Sequence, residues 1–165
     1  MSERYSVTVT KDYLTFSAGH FITFNGNVCE RLHGHNYGVR ATVDGPLDEN
    51  HYVIDFIALR DCLKEITNGL DHHMILPTEH PTIHVTPDDK EVLVTFEDRR
   101  WIFPLEDCIL LPIANTTTEL IARYIGRELL EALRQRGIAT PPELTIGVDE
   151  NQGQWGSWHW KNADR

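Results

Sequence analysis

The sequence contains no long hydrophobic run: no stretch of its 165 residues approaches the length of a bilayer-spanning helix, so no membrane anchor is expected. Its opening residues, MSERYSVTVT, lack the apolar centre of a secretory signal, which points to a cytoplasmic protein. Cysteine is scarce and odd in number (Cys29, Cys62, Cys108), without framework spacing, so reduced thiols are expected. Internal repeats, low-complexity tracts and flexible linkers are also missing, and the length fits one domain spanning residues 1–165. Positive charge is in the minority. Fifteen Lys and Arg face twenty-five Asp and Glu, a balance of −10 that excludes a broad basic groove for nucleic acid or anionic lipid. An anionic ligand would have to be recognised locally.

What the chain has in plenty is histidine, nine in all, set in a sequence with enough apolar residues (41%) for a core. Residues 5–16 alternate Tyr5, Val7 and Val9 with Ser6, Thr8 and Thr10, the period of a strand. A second alternation through Tyr37, Val39, Ala41 and Val43 ends at the turn Asp44-Gly45-Pro46. Asp55 predicts the cap of a helix from Phe56 to about Thr67, closed by Asn68-Gly69, with Cys62 as a small core residue beside its apolar stripe. Residues 77–90 read as a loop, and 92–96 with 101–103 as a hairpin; Cys108 follows in another apolar run. Thr116-Thr117-Thr118-Glu119 reads as a capping box opening a second helix that stops at Gly137. Leu144–Glu150 and Trp155–Trp160 read as closing strands, and the four tryptophans as core or interface. Strands adjacent at both ends predict an α+β fold, an antiparallel sheet with two helices on one face.

His33-Gly34-His35 is the sharpest local signal, because residues two apart on an extended chain project to one side and can reach one ion. His20, at the end of the first strand, offers a third imidazole; the alternative is three histidines at strand ends with water or backbone partners. Cys29 lies four residues before His33, either as a base activated beside a dication or as an inert buried thiol. Asp71-His72 has the composition of a proton relay, or of a capped and solvated loop, with His73 as an assistant. Glu150 could accept two parallel N–H donors from a heterocycle, or stand as an ordinary surface carboxylate. His51, His80, His84 and His159 read as surface.

Taken together, FSAGH, CERLHGHNY, VIDF, LDHH, NTTTEL and VDEN resemble, in order and approximate spacing, the 6-pyruvoyl-tetrahydropterin and 6-carboxy-tetrahydropterin synthases, over roughly residues 5–76 and 113–151. The stretch at about 77–112 then reads as an insertion. The resemblance implies a tunnelling fold (T-fold), in which sheets from several subunits close into a barrel, and a homo-hexamer built as a dimer of trimers with active sites between subunits. It implies Zn2+ on His20, His33 and His35, with Cys29 as proton acceptor, Asp71 and His72 as relay, and Glu150 as a catalytic residue that anchors the pterin and joins the relay. Thr117 and Thr118 would line the pterin pocket. The implied substrate is a small pterin triphosphate, for which Lys11, Arg31 and Arg40 are candidate phosphate ligands. The gap between Cys29 and His33 resembles the 6-carboxy-tetrahydropterin synthases of queuosine biosynthesis. Glu30 is similar to the glutamate of paralogues that form 6-hydroxymethyl-dihydropterin, or is an exposed loop residue. The 6-pyruvoyl-forming activity and a non-catalytic pterin- or metal-binding role are the remaining alternatives.

Overall fold

In the computed structural model, which describes residues 3–163, the first strand changes its inward-facing set halfway along. Strand β1 (Tyr5–His20) is followed by a two-stranded ribbon, β2 (Thr23–Phe24) and β3 (Val28–Cys29), and by β4 (His33–Gly45), which returns antiparallel to β1. The β1–β4 register slips between Thr10 and Thr15. Before the slip, Val7 and Val9 lie opposite Val43 and Ala41; after it, Phe16, Ala18 and His20 lie opposite Tyr37, His35 and His33. A bulge exchanges the two alternating sets of a strand. Here it moves the inward set from odd to even numbers, and so puts His20 on the same face as His33 and His35.

Helix α1 (Phe56–Leu70) starts as expected, with the Asp55 carboxylate accepting from the amides of Ile57 (2.7 Å) and Ala58 (3.4 Å). It does not stop at Asn68-Gly69 but runs through them to Leu70, because Leu70 is buried in the core and holds the last turn down. Then come β5 (His73–Pro77), β6 (His84–Pro87), β7 (Glu91–Phe96), β8 (Arg99–Pro104), a single 3-10 turn, and β9 (Cys108–Leu111). Helix α2 (Thr118–Gln135), β10 (Glu143–Asp149) and β11 (Trp155–Lys161) complete the chain. Gly137, at φ 72°, ends α2 at the expected place.

The main sheet has the order β11-β10-β4-β1-β5-β9. Its first four strands are antiparallel, as expected from the sequence, while β5 runs parallel to β1 and β9 parallel to β5, which adds a parallel edge. Parallel neighbours need a crossover, and residues 78–107 supply the one between β5 and β9. Part of that excursion, expected to be loop, forms the edge strand β6 of a second sheet, β6-β7-β8, where pairing with β7 supplies what local composition does not. The second sheet has a small core of its own, from Val92, Val94, Phe96 and Ile83 with Phe21 and Leu76.

Both helices cover one face of the main sheet. Leu59, Cys62 and Leu63 of α1 and Ile121, Ile125, Leu129 and Leu133 of α2 share one core with Val39, Ala41, Ile146 and Val148. The helix-free face is polar: the Thr8 and Thr42 hydroxyls meet at 2.9 Å, and Thr145 bonds His159 at 2.9 Å. The capping box does not form. The cap of α2 is Thr117, one residue later than expected, so Glu119 sits too early to close the box and bonds Thr118 instead; the Thr116 hydroxyl donates to the Phe21 carbonyl. Among the described residues no helix is long and apolar enough to cross a membrane.

Candidate metal centre

His20, His33 and His35 each offer a ring nitrogen within 4.8 Å of the other two. Register explains the meeting: His20 pairs with His33 across β1 and β4, and His35 stands two residues along the same face. The backbone also sets the tautomers. Nδ1 of His20 lies 3.0 Å from the Thr116 carbonyl, and Nδ1 of His33 lies 2.8 Å from the Arg31 carbonyl. A carbonyl can only accept, so each Nδ1 carries the hydrogen and each Nε2 presents a lone pair. His20 is 1% exposed, and burial, reinforced by the neighbouring histidines and opposed by the Thr116 carbonyl, lowers its pKa to about 4. It is therefore neutral at physiological pH, as a metal ligand must be. This donor set fits a divalent cation that favours imidazole.

Two further groups face the cluster. Glu150 brings Oε1 to 3.5 Å from His20 Nε2 and 3.8 Å from His35 Nε2. It lies just past β10, one residue beyond the strand end, where the Asp149 carboxylate grips the amides of Asn151 (3.2 Å), Gly153 (2.9 Å) and Gln154 (2.9 Å). The Glu150 amide closes the same turn onto the Gln154 carbonyl at 3.1 Å. Tyr37, fully buried and stacked on Phe16 at 4.8 Å, sets its hydroxyl 3.1 Å from His20 Nε2. Burial, helped by the Glu150 and Glu30 carboxylates, raises its pKa, so the phenol keeps its proton. Sequence reasoning treated Tyr37 only as a strand residue, although it continues the His33, His35 face.

The remaining expected residues fall into two groups. Glu30 reaches the cluster, with Oε2 3.8 Å from His33 Nε2. Cys29 sits in β3 against the second sheet's core, its Sγ 3.5 Å from the Glu30 carbonyl. Burial pushes its thiol up, the Arg99 guanidinium pulls it down, and Glu30 and Glu97 push it further up. Asp71 and His72 do pair, at 2.8 Å, and the Asp71 carboxylate also accepts the Ser17 amide at 2.7 Å, which holds its pKa below the usual range. They do not join the histidines. His72, at φ 61°, opens into a cleft of about 570 Å³ lined by Ser17, Gly19, Gly34, Asn36 and His73 on the helix-free face, and of the three clustered histidines only His35 borders it.

Thr117 caps α2, and Thr118 packs against Gly156 of β11; their buried neighbour Thr116, read in the sequence only as part of a capping box, is the one that orients His20. Lys11 lines a hollow beside Phe56, Arg31 contributes its carbonyl to His33, and Arg40 stacks on Trp155 at 4.2 Å. His80 is half-buried and fully bonded: its Nδ1 accepts from the amides of Thr82 (3.0 Å) and Ile83 (2.9 Å), and its Nε2 lies 2.8 Å from the Thr23 hydroxyl.

Comparison with known proteins places the chain in a family. The family model for 6-pyruvoyl tetrahydropterin synthase matches residues 8–158. The chain is 34% identical over 142 residues to a putative 6-carboxy-5,6,7,8-tetrahydropterin synthase of Methanocaldococcus jannaschii, covering 86% of each. It is 31% identical over 127 residues to the 6-carboxy-5,6,7,8-tetrahydropterin synthase of Aquifex aeolicus, covering 75% of this chain and 74% of that one. Among solved structures, a 6-pyruvoyl tetrahydropterin synthase of Plasmodium falciparum matches with TM-score 0.87 and 34% identity over 98% of this chain and 100% of the other. A Plasmodium vivax 6-pyruvoyltetrahydropterin synthase altered at a catalytic glutamate matches over the same shares with TM-score 0.86 and 30% identity.

Proposed function

The chain belongs to the 6-pyruvoyl tetrahydropterin synthase family and has its T-fold, and from that premise we propose a zinc-dependent carbon–carbon lyase that converts 7,8-dihydroneopterin triphosphate to 6-carboxy-5,6,7,8-tetrahydropterin for queuosine biosynthesis. The observation that carries this reading is the cluster of three oriented imidazoles with Glu150 at its edge. The relatives named for 6-carboxy-tetrahydropterin synthesis, and the three-residue gap between Cys29 and His33, favour this product.

His20, His33 and His35 would hold the zinc, which would supply a Lewis acid for the side-chain hydroxyls of the substrate and the adjacent C–H. Glu150, held rigid by the Asp149 turn, accepts two adjacent N–H groups of the pterin. Cys29 takes the proton; burial raises its thiol against the pull of Arg99, and a dication on the neighbouring histidines would favour the thiolate. His72, oriented by Asp71, returns or shuttles the proton. The opening of His72 onto the helix-free face supports the reading that the pair serves the site of a neighbouring copy in a homo-hexamer built as a dimer of trimers. Thr117 and Thr118, at the start of α2, line the pterin pocket. The reduced cysteines fit a cytoplasmic enzyme.

A second reading is favoured by one contact, Glu30 against His33 at 3.8 Å, and by the catalytic glutamate of the Plasmodium vivax relative. On that reading Glu30 also forms 6-hydroxymethyl-dihydropterin. Mass spectrometry of products from zinc-loaded protein tests both. Wild type should yield the carboxylated pterin and acetaldehyde. Cys29→Ala should abolish the carboxylated product with zinc retained, and Glu30→Ala should remove only the hydroxymethyl product. Complete inactivity of the metallated oligomer would sink the enzymatic reading in favour of a pterin- or metal-binding protein.

A further inference from the structure

Arg99 stands at the start of β8, yet its guanidinium reaches out of the second sheet to the main chain of β3. Nη1 donates to the Cys29 carbonyl at 3.0 Å and Nη2 to the Glu30 carbonyl at 3.3 Å. The Glu30 amide donates to the Ile22 carbonyl at 2.9 Å, so the Cys29–Glu30 peptide is pinned at both its N–H and its C=O. The Cys29 thiol and Arg99 share one acceptor, the Glu30 carbonyl. The guanidinium is itself held in place: it lies 4.7 Å over the Trp101 ring, and Trp101 stacks at 4.5 Å on Phe21, the residue after His20. Contact therefore runs from beside a metal ligand, through two aromatic rings and one cation, back to the two candidate bases.

We propose that Arg99 is a positioning residue that decides which of Cys29 and Glu30 is presented to the histidine cluster, and so which product the site forms. The inference rests on the reading above, in which those two residues are rival bases. Consecutive side chains of an extended chain diverge to opposite sides, so the tilt of one peptide plane decides which of them faces a given point. With both ends bonded, the plane has one tilt; without Arg99, its carbonyl is free to swing. A planar fork holds two neighbouring carbonyls at once, whereas a lysine ammonium has no fork with which to do so. The second sheet then has a catalytic purpose, as the rigid mount of the loop that carries the bases. The Asn27 side chain bonds Glu97 (3.5 Å) and Thr82 (2.9 Å), and His80 bonds Thr23, further ties between mount and loop.

The test uses full-length, zinc-loaded Arg99→Gln and Arg99→Lys with two readouts. In the substrate-free protein, the Glu30 amide of Arg99→Gln should exchange hydrogen about tenfold faster than wild type, with zinc content unchanged. With substrate, kcat should fall about tenfold at nearly unchanged KM, and the ratio of hydroxymethyl to carboxylated pterin should move about fivefold. Arg99→Lys should lie between the two proteins in both. A folded, zinc-loaded Arg99→Gln with the wild-type product ratio overturns the proposal, whatever its exchange. If wild type itself makes neither pterin, the functional reading falls, and the exchange rate still decides the clamp: faster supports it, unchanged refutes it. Should Arg99→Gln fail to fold, Arg99→Lys carries the same two comparisons.

Discussion

Replacing His20 by alanine separates two roles that one ring combines. In the metal-free protein the ring holds the Thr116 carbonyl at 3.0 Å and the Tyr37 hydroxyl at 3.1 Å, all three groups being buried. Alanine leaves a carbonyl and a hydroxyl without that partner inside the protein. Each such orphan costs about 1–3 kcal/mol, so the loss is at least about 2 kcal/mol before any cavity is counted. His33 provides the comparison. Its side chain is 34% exposed and its Nδ1 bond is at the surface, so His33→Ala should cost only about 0.5 kcal/mol. With a urea slope of about 1–3 kcal/mol per molar, His20→Ala should lower the midpoint in chelator by roughly 1 M, and His33→Ala should hardly move it. Both variants should lose the metal, measured by elemental mass spectrometry after gel filtration, and neither should gain the wild-type stabilisation on adding zinc. A His20→Ala midpoint equal to wild type in chelator, or full metal in His33→Ala, would refute the assignment.

Three other outcomes are expected. His80 accepts two amides at Nδ1 and burial lowers its pKa, so only the neutral ring fits; its contribution is complete above the ordinary histidine value of about 6.5 and is lost as pH falls through and below it. Amide exchange across residues 80–87, corrected for intrinsic rate, should therefore quicken as pH falls from 7.5 to 5.5 (values chosen to bracket about 6.5), and an unchanged profile would count against this role of His80. In Gly126→Ala the new methyl would drive into the Trp158 ring, so a change that ordinarily favours a helix should instead cost about 1–3 kcal/mol, read as a lowered melting temperature. Asp149→Ala frees the turn that presents Glu150, so KM for the pterin should rise about tenfold with metal content unchanged; an unaltered KM would remove Glu150 from the anchor role.

The parts legible in the sequence are those written in local periodicity. The alternation of β1 as far as Thr10, that of β4, the Asp55 cap and the apolar stripes of both helices survive in the structure, because each depends on residues a few positions apart. His33-Gly34-His35 was legible for the same reason, and His20 through its motif. Short parallel strands were not: β5 and β9 are brief apolar runs whose pairing depends on a long crossover. The capping box misled because the Thr116 hydroxyl found a carbonyl 95 residues away, a competitor absent from any local window. Arg99 was invisible likewise, as its partners lie 69 and 70 residues back and nothing in Glu97-Asp98-Arg99-Arg100 marks one cation from the other.

His72, paired with Asp71, lines the helix-free cleft, whereas Cys29 packs in the ribbon against the second sheet. On the proposed sharing of sites between copies, this division would make defects curable in pairs. Chains bearing Cys29→Ala and chains bearing His72→Ala, each dead alone, should restore one another when dissociated and reassembled together. Random pairing in a one-to-one mixture gives about one quarter of the sites an intact half from each parent. Two null alleles of such a gene would complement within one cell, and the size of the recovery would count the chains that build a site.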